Sequence, residues 1–379
     1  MKENILVKTC AINEIFSLTM EWELQKKTLN WSTDRISLDA NFYAIGTLSR
    51  ISNIELESIV EPKRVIEQFY DKITNGMRQT EFTSPNLYST FCFLGIISDL
   101  LKISDEKIDG DTPFPIEDKT ICEVLRLEES GWKLLKTKMI EFVQECYSDK
   151  TKSFLESPWT NSPPSSLTNS TSIRSLIFLD ALDNEKSLNM IENSLNFIEK
   201  CKIEIVDENT GLKYIGFVAY PEEKQNIKNA SVCPTYFIYK TFFSPRYKKF
   251  HEKFTQKIFD IWGEKCNEYI LNLVKVSWCE NNNIGGFRIG PIDQPILIPH
   301  TKYCLKFLEF LGKEKNINYL KKLDDLLNSK NVVKKILNFV KTCQYFSDSS
   351  FAYGGTSGHL SSTKSVVNKK CYSNFKNFK

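Results

Sequence analysis

The chain has 379 residues, 41% of them hydrophobic and 26% charged, a composition that supports a sizeable globular core. Its 50 basic and 47 acidic side chains leave a formal charge of +3, too balanced to mark a nucleic-acid-binding surface.

In chain order, the first residues, "MKENILVKTCAINEIF", lack a secretory apolar region, and no later run reaches the roughly 18 apolar residues of a membrane span. The 11 cysteines lie mostly in apolar helical stretches without paired spacing, so reduced core thiols and a cytoplasmic protein are expected. Apolar residues recur at helical spacing nearly throughout, and few stretches alternate like strands. A longer period overlies this pattern: an amphipathic helix, a loop with Gly and aromatic residues, then a more apolar helix rich in Tyr and Phe. The first such pair ends in "LDANFYAIGTLSRIS" (38–52), where Asp39 caps a helix. Segments 61–73 and 85–103 form the next pair, followed by an acidic insertion at about 104–120. Segments 131–147 and 170–182 form a third, joined by a loop through Trp159 within the Pro/Ser/Asn-rich stretch 157–172. A fourth pair joins 185–201 through the loop 211–223 to 231–243, and helix 249–263 is inserted after it. At the end, 266–287 leads into 300–312 and 332–355 into 359–367, the two sharing an L-N-x-V-K core. The basic tail 368–379 reads as a solvated extension able to touch an acidic surface, such as a membrane periphery.

Helices of two alternating kinds predict two concentric layers, the amphipathic ones outside and the apolar ones inside. Six such hairpins can close on themselves, so the expectation is an all-α chain, residues 1–379, folded as one α/α toroid; an open superhelix is the alternative. Gly285, Gly286, Gly354 and Gly355 fit sharp turns between antiparallel partners. Tyr88, Phe91, Phe178, Tyr236, Phe237, Tyr239, Tyr303 and Phe307 lie on inner-type helices and are expected to line an apolar cavity. Neither "GGTSGH" (354–359) nor "GGFRIG" (285–290) has the context of a phosphate or dinucleotide loop.

Units reading helix, "GGF", then "TxYxLxxL" resemble the terpenoid cyclase and protein prenyltransferase superfamily, over roughly residues 130 to 367. The most specific piece resembles the β-subunit of protein prenyltransferases. In that family Asp-x-Cys-Tyr-Ser-Phe-Trp is followed about one repeat later by His-Thr-x-Tyr-Cys-Leu, and the Asp, Cys and His hold a catalytic zinc. Here "SVCPTYF" (231–237) and "HTKYCL" (300–305) place Cys233 and His300 at two ligand positions, while Ser231 stands where the aspartate would be. Serine is a poor zinc ligand, so a third would have to come from Asp293, or from Cys304 on the same helical face as His300. The loop that grips the isoprenoid diphosphate in that family corresponds to 216–230, which carries Glu222 and Glu223 instead of arginine. The class II cyclases use an acidic motif to protonate an alkene, and the nearest match is "DGDT", with Asp109 and Asp111. The resemblance thus implies a prenyltransferase-like or cyclase-like protein handling a long isoprenoid-type substrate, with zinc or Mg2+ as the implied cofactor. A non-catalytic binding or interaction protein on the same scaffold is the alternative.

Overall fold

The computed structural model describes residues 38, 42, 62–79, 83–104, 114–208, 210–225, 231–290, 296 and 298–342. In chain order its α-helices are α1 (Pro62–Phe69), α2 (Leu87–Ser104), α3 (Asp118–Leu125), α4 (Glu129–Glu145), α5 (Ser166–Phe178) and α6 (Glu185–Lys200). They continue with α7 (Val232–Phe243), α8 (Lys248–Trp262), α9 (Cys266–Ser277), α10 (Ile298–Lys315), the short α11 (Leu323–Leu326) and α12 (Val332–Thr342).

Two kinds of helix are distinguished by what covers them. α2, α5, α7 and α10 pack side by side in that order as an inner row. On α7, burial runs right round the helix, from Val232, Cys233 and Thr235 to Ile238 and Phe242. α6 is of the other kind: it buries Met190, Ile191, Leu195 and Ile198 while Glu192 and Asn196 stay exposed. α4 and α6 pack on α5, and α9 on α10, so wet outer helices cover dry inner ones. Among the described residues an outer helix is followed by an inner one four times along the chain (α1 then α2, α4 then α5, α6 then α7, α9 then α10), and α12 adds the outer helix of another unit. This two-layer succession is that of an α/α toroid. Most of the expected first pair, the second helix of the last pair and the basic tail lie outside the described residues. No described helix is long and apolar enough to cross a membrane.

Three loops expected within the pairs, between the outer and the inner helix, are antiparallel strand pairs. They are β1 (Tyr147–Ser148) with β2 (Ser153–Phe154), β3 (Lys202–Val206) with β4 (Lys213–Phe217), and β5 (Trp278–Asn281) with β6 (Ile284–Phe287). Each ends on a buried phenylalanine facing the first residue of its partner strand: Phe154 opposite Tyr147, Phe217 opposite Lys202, Phe287 opposite Trp278. Each of these phenylalanines donates its main-chain N–H to a side-chain oxygen on the following inner helix. The acceptors are Asn169 Oδ1 at 3.0 Å, Thr235 Oγ1 at 2.9 Å and Thr301 Oγ1 at 3.1 Å. Met77 donates to Thr90 Oγ1 in the same way at 3.3 Å. The next outer helix then lies on the strand pair: α6 on β2, α9 on β4 and α12 on β6.

Several boundaries differ from the sequence reading. α1 stops at Phe69 rather than continuing to 73, because Asn75 turns the chain at φ 61° and Tyr70 pairs back with Met77. α5 starts at Ser166, inside the stretch 157–172 expected as a rim loop, because Ser165 caps it by accepting from the Thr168 N–H at 3.0 Å. α3 likewise starts at Asp118, before the end of the expected 104–120 insertion. Gly285 and Gly286 are not turn residues: they sit in β6, and Asn282, at φ 53°, makes the turn. A Cβ on Gly285 would lie 2.6 Å from the Trp278 ring, and one on Gly286 would lie 2.4 Å from Ile296. They are small because the strand pair is sandwiched between helices.

The hydrogen bond to Thr235 generates a stability prediction. Thr235→Val keeps the shape but leaves the buried Phe217 N–H without its acceptor, a loss of about 1–3 kcal/mol. In urea unfolding, Thr235→Ser should retain most of the wild-type stability and Thr235→Val should not; equal stabilities would contradict the assignment.

Candidate functional site

The inner row encloses a cavity of about 270 Å³. Its walls come from α2, α5, α7 and α10, closed at one side by Phe42, Phe114 and the turn that holds Arg246 and Tyr247. Five of the eight aromatic residues expected there line it: Phe91, Phe178, Tyr236, Phe237 and Tyr303. Tyr236 and Tyr303 stack at 5.1 Å between ring centres, and Phe237 meets Tyr303 edge-on at 5.6 Å and Phe91 at 6.3 Å. Phe178 contributes to a second group, 4.8 Å from Phe114, which in turn stacks on Tyr247 at 5.9 Å.

The other three lie elsewhere, for reasons of helix geometry. Tyr239 is two residues, about 200°, beyond Phe237. It points to the outer layer, packing on Trp262 and donating its hydroxyl to Asn267 Oδ1 at 2.7 Å. Phe307 is turned about 100° from Lys306, which does line the cavity; it is buried against Tyr236 and Tyr239. Tyr88 packs against Phe91 at 6.4 Å, one turn below the cavity wall.

What the sequence reading did not anticipate is charge. Among the described residues the lining holds six basic side chains (Arg174, Lys240, Arg246, Lys302, Lys306, Lys313) and two acidic ones, Asp99 and Glu309. Arg174 is 8% exposed; its guanidinium lies 4.4 Å over the Phe91 ring and 5.9 Å from Phe237, and its Nε–H donates to the Tyr247 hydroxyl at 3.0 Å. Arg246, 7% exposed, lies 4.4 Å over Phe114 and donates from Nη1 to Ser98 Oγ at 2.6 Å. One signal was readable: α10 should be apolar all round, yet Lys302, Lys306, Glu309 and Lys313 recur at spacings of four, three and four, one charged stripe along an inner helix.

The expected metal donors give a different picture. Cys233 on α7 and His300 on α10 are both buried, and Cys304 is fully so. Burial pushes the Cys233 thiol up to about 12, with a hydrogen bond to Tyr303 pulling the other way, and burial raises Cys304 well above the ordinary thiol range. Among the described residues no three His, Cys, Asp or Glu side chains come together where they could hold a metal ion; Asp293, Asp109 and Asp111 lie outside those residues. A zinc site needs three protein donors, with any thiol ionised, so the described residues do not fit zinc. Elemental analysis of the purified chain checks this. The expected result is no stoichiometric zinc; roughly one zinc per chain, lost on Cys233→Ala, would contradict it.

No family model matches the chain, and no curated protein matches it. Among solved structures, Candida albicans protein geranylgeranyltransferase-I complexed with GGPP aligns over 73% of this chain and 85% of that one, at 17% identity and a TM-score of 0.37.

Proposed function

We propose that the chain binds an isoprenoid-type apolar ligand in the cavity enclosed by its inner helices. The observation that carries this reading is the convergence of Phe91, Phe178, Tyr236, Phe237 and Tyr303, from three successive inner helices and the next, on one space. Ring faces and edges give an unsaturated hydrocarbon chain close contact without demanding polar partners from it. The motif likeness of "HTKYCL" to the prenyltransferase β-subunits supports the choice of an isoprenoid over other apolar ligands. A cavity of about 270 Å³ is less than twice the roughly 150 Å³ that encloses benzene, so about ten carbons fit inside and a longer chain extends through the mouth.

The position of Arg174 argues against cyclisation. A cyclase uses ring faces to stabilise a carbocation, but the Phe91 face already holds a guanidinium. A second positive charge about 6 Å away would be repelled by roughly 3 kcal/mol at an effective dielectric of 20. Between the remaining readings, binding without transfer is favoured by Ser231 at the family's aspartate position, where it serves as the N-cap of α7.

Titrating the chain with geraniol and farnesol, with intrinsic fluorescence as the readout, tests the proposal. Tyr236→Ala should weaken binding about tenfold or more, the scale of one lost aromatic contact of 1.4 kcal/mol. Tyr239→Phe, which removes a hydroxyl directed at the outer layer, should leave affinity unchanged. Absence of binding by the wild type, or equal weakening by both variants, would overturn the reading.

A further inference from the structure

We infer that the rim between the α1–α2 and α4–α5 units carries a second binding site, which takes a neutral sugar-type ring. The site is an open concavity of about 400 Å³, lined by Asp71, Thr74, Arg78, residues 83–85 and Trp159. It shares no lining residue with the cavity between the inner helices. Its volume lies at the low end of the roughly 300–1,000 Å³ of small-molecule clefts, which suits one or two rings.

Local structure fixes the walls before any ligand arrives, which lowers the cost of binding one. The turn 71–76 is closed by the Asp71 N–H on the Gly76 carbonyl at 2.9 Å and the Asn75 N–H on the Asp71 carbonyl at 2.8 Å. A Cβ on Gly76 would lie 2.7 Å from the Phe142 ring and 2.8 Å from Pro85, so the turn is pressed between α4 and the approach to α2. Arg78 pairs with Pro85 in an antiparallel bridge, which brings residues 83–85 alongside. Leu87, at the start of α2, donates its N–H to the Glu156 carbonyl at 2.8 Å and so ties the segment before Trp159 to the same rim. Trp159 rests on Phe142, with 6.3 Å between ring centres, yet stays 48% exposed.

The chemistry of this lining selects the ligand. Its acidic and basic side chains neutralise each other: Asp71 Oδ2 accepts from Arg78 Nε at 3.1 Å and Nη2 at 2.6 Å, and Oδ1 from the Ile73 N–H at 2.8 Å. The pair presents fixed acceptor lone pairs without a net charge that would attract an ion. The Thr74 hydroxyl oxygen is shielded from solvent and meets no partner among the described residues. Leaving such a group unmet is costly, and a ligand hydroxyl would satisfy it. A flat indole face beside these groups suits a ring with C–H groups on one side and hydroxyls at its edge. A purely apolar molecule would strip water from Asp71 and Thr74 without replacing it.

Saturation-transfer NMR on the full chain with glucose, galactose, mannose and N-acetylglucosamine, and with uridine as a flat neutral comparison, tests the inference. At least one sugar should bind saturably and more tightly than uridine. Trp159→Ala should weaken that binding about fivefold or more, the scale of one lost ring contact. Thr74→Val should weaken it about threefold or more while leaving the urea unfolding midpoint unchanged or higher, because the hydroxyl has no partner to lose among the described residues. A merely structural role for Thr74 would move the midpoint and not the affinity. Thr74→Ser should bind as the wild type does. Absence of binding by all four sugars, tighter binding of uridine, or wild-type sugar affinity in either folded variant would overturn the inference. If Trp159→Ala does not fold, Thr74→Val alone decides.

Discussion

A main-chain N–H that ends a strand inside a protein has to find an acceptor, and here the inner helices supply it. Asn169, Thr235 and Thr301 each accept from the last residue of a strand pair, and Thr90 does the same in the preceding unit. One bond of this kind is worth little in net terms, but leaving its donor unmet in a dry interior is expensive. The constraint therefore fixes the height of each strand pair against its inner helix. The next outer helix packs on that strand pair, so each unit sets the position of the one after it. The inner helices are thereby held side by side, and the space between them keeps a defined set of walls.

That organisation was largely legible in the sequence. The alternation of wet and dry helices, and their order, follow from helical spacing, and the segments 131–147, 185–201, 231–243 and 300–312 each overlie an observed helix. α5 was legible only in part: 170–182 was expected as an inner helix, but its first turn fell within the stretch 157–172 expected as a rim loop. "SLTNSTSIRSLIF" contains six hydroxyl side chains, yet it is buried at almost every position. Its hydroxyls are satisfied within the helix or across it: Ser172 and Ser175 bond back to Thr168 and Thr171, and Ser170 reaches Thr241 on α7. Polarity of this sort cannot be told from solvent-facing polarity by composition, because the partners are supplied by the fold. The strand pairs were missed because two to five residues are too few to show alternation.

The site was legible in part, and the division has a physical cause. Aromatic residues on inner helices were identified, but which of them face inward depends on helix rotation, and Tyr239 and Phe307 are turned away. The basic side chains escaped notice because charge on a helix ordinarily marks its wet face. Here the charged stripe of α10 faces an interior space shared with aromatic rings. Among the described residues, the lining joins hydrocarbon walls and basic side chains in one interior space. It is poorly suited to chemistry that generates a positive charge among those same rings.

The central claim is that the space between α2, α5, α7 and α10 is a ligand site and not a packing defect. A crystal structure of the chain grown with geraniol tests it most directly. The account predicts density for the hydrocarbon between Tyr236, Phe237 and Tyr303. Clear density for the ligand elsewhere, or a cavity filled by the chain's own side chains, would contradict it.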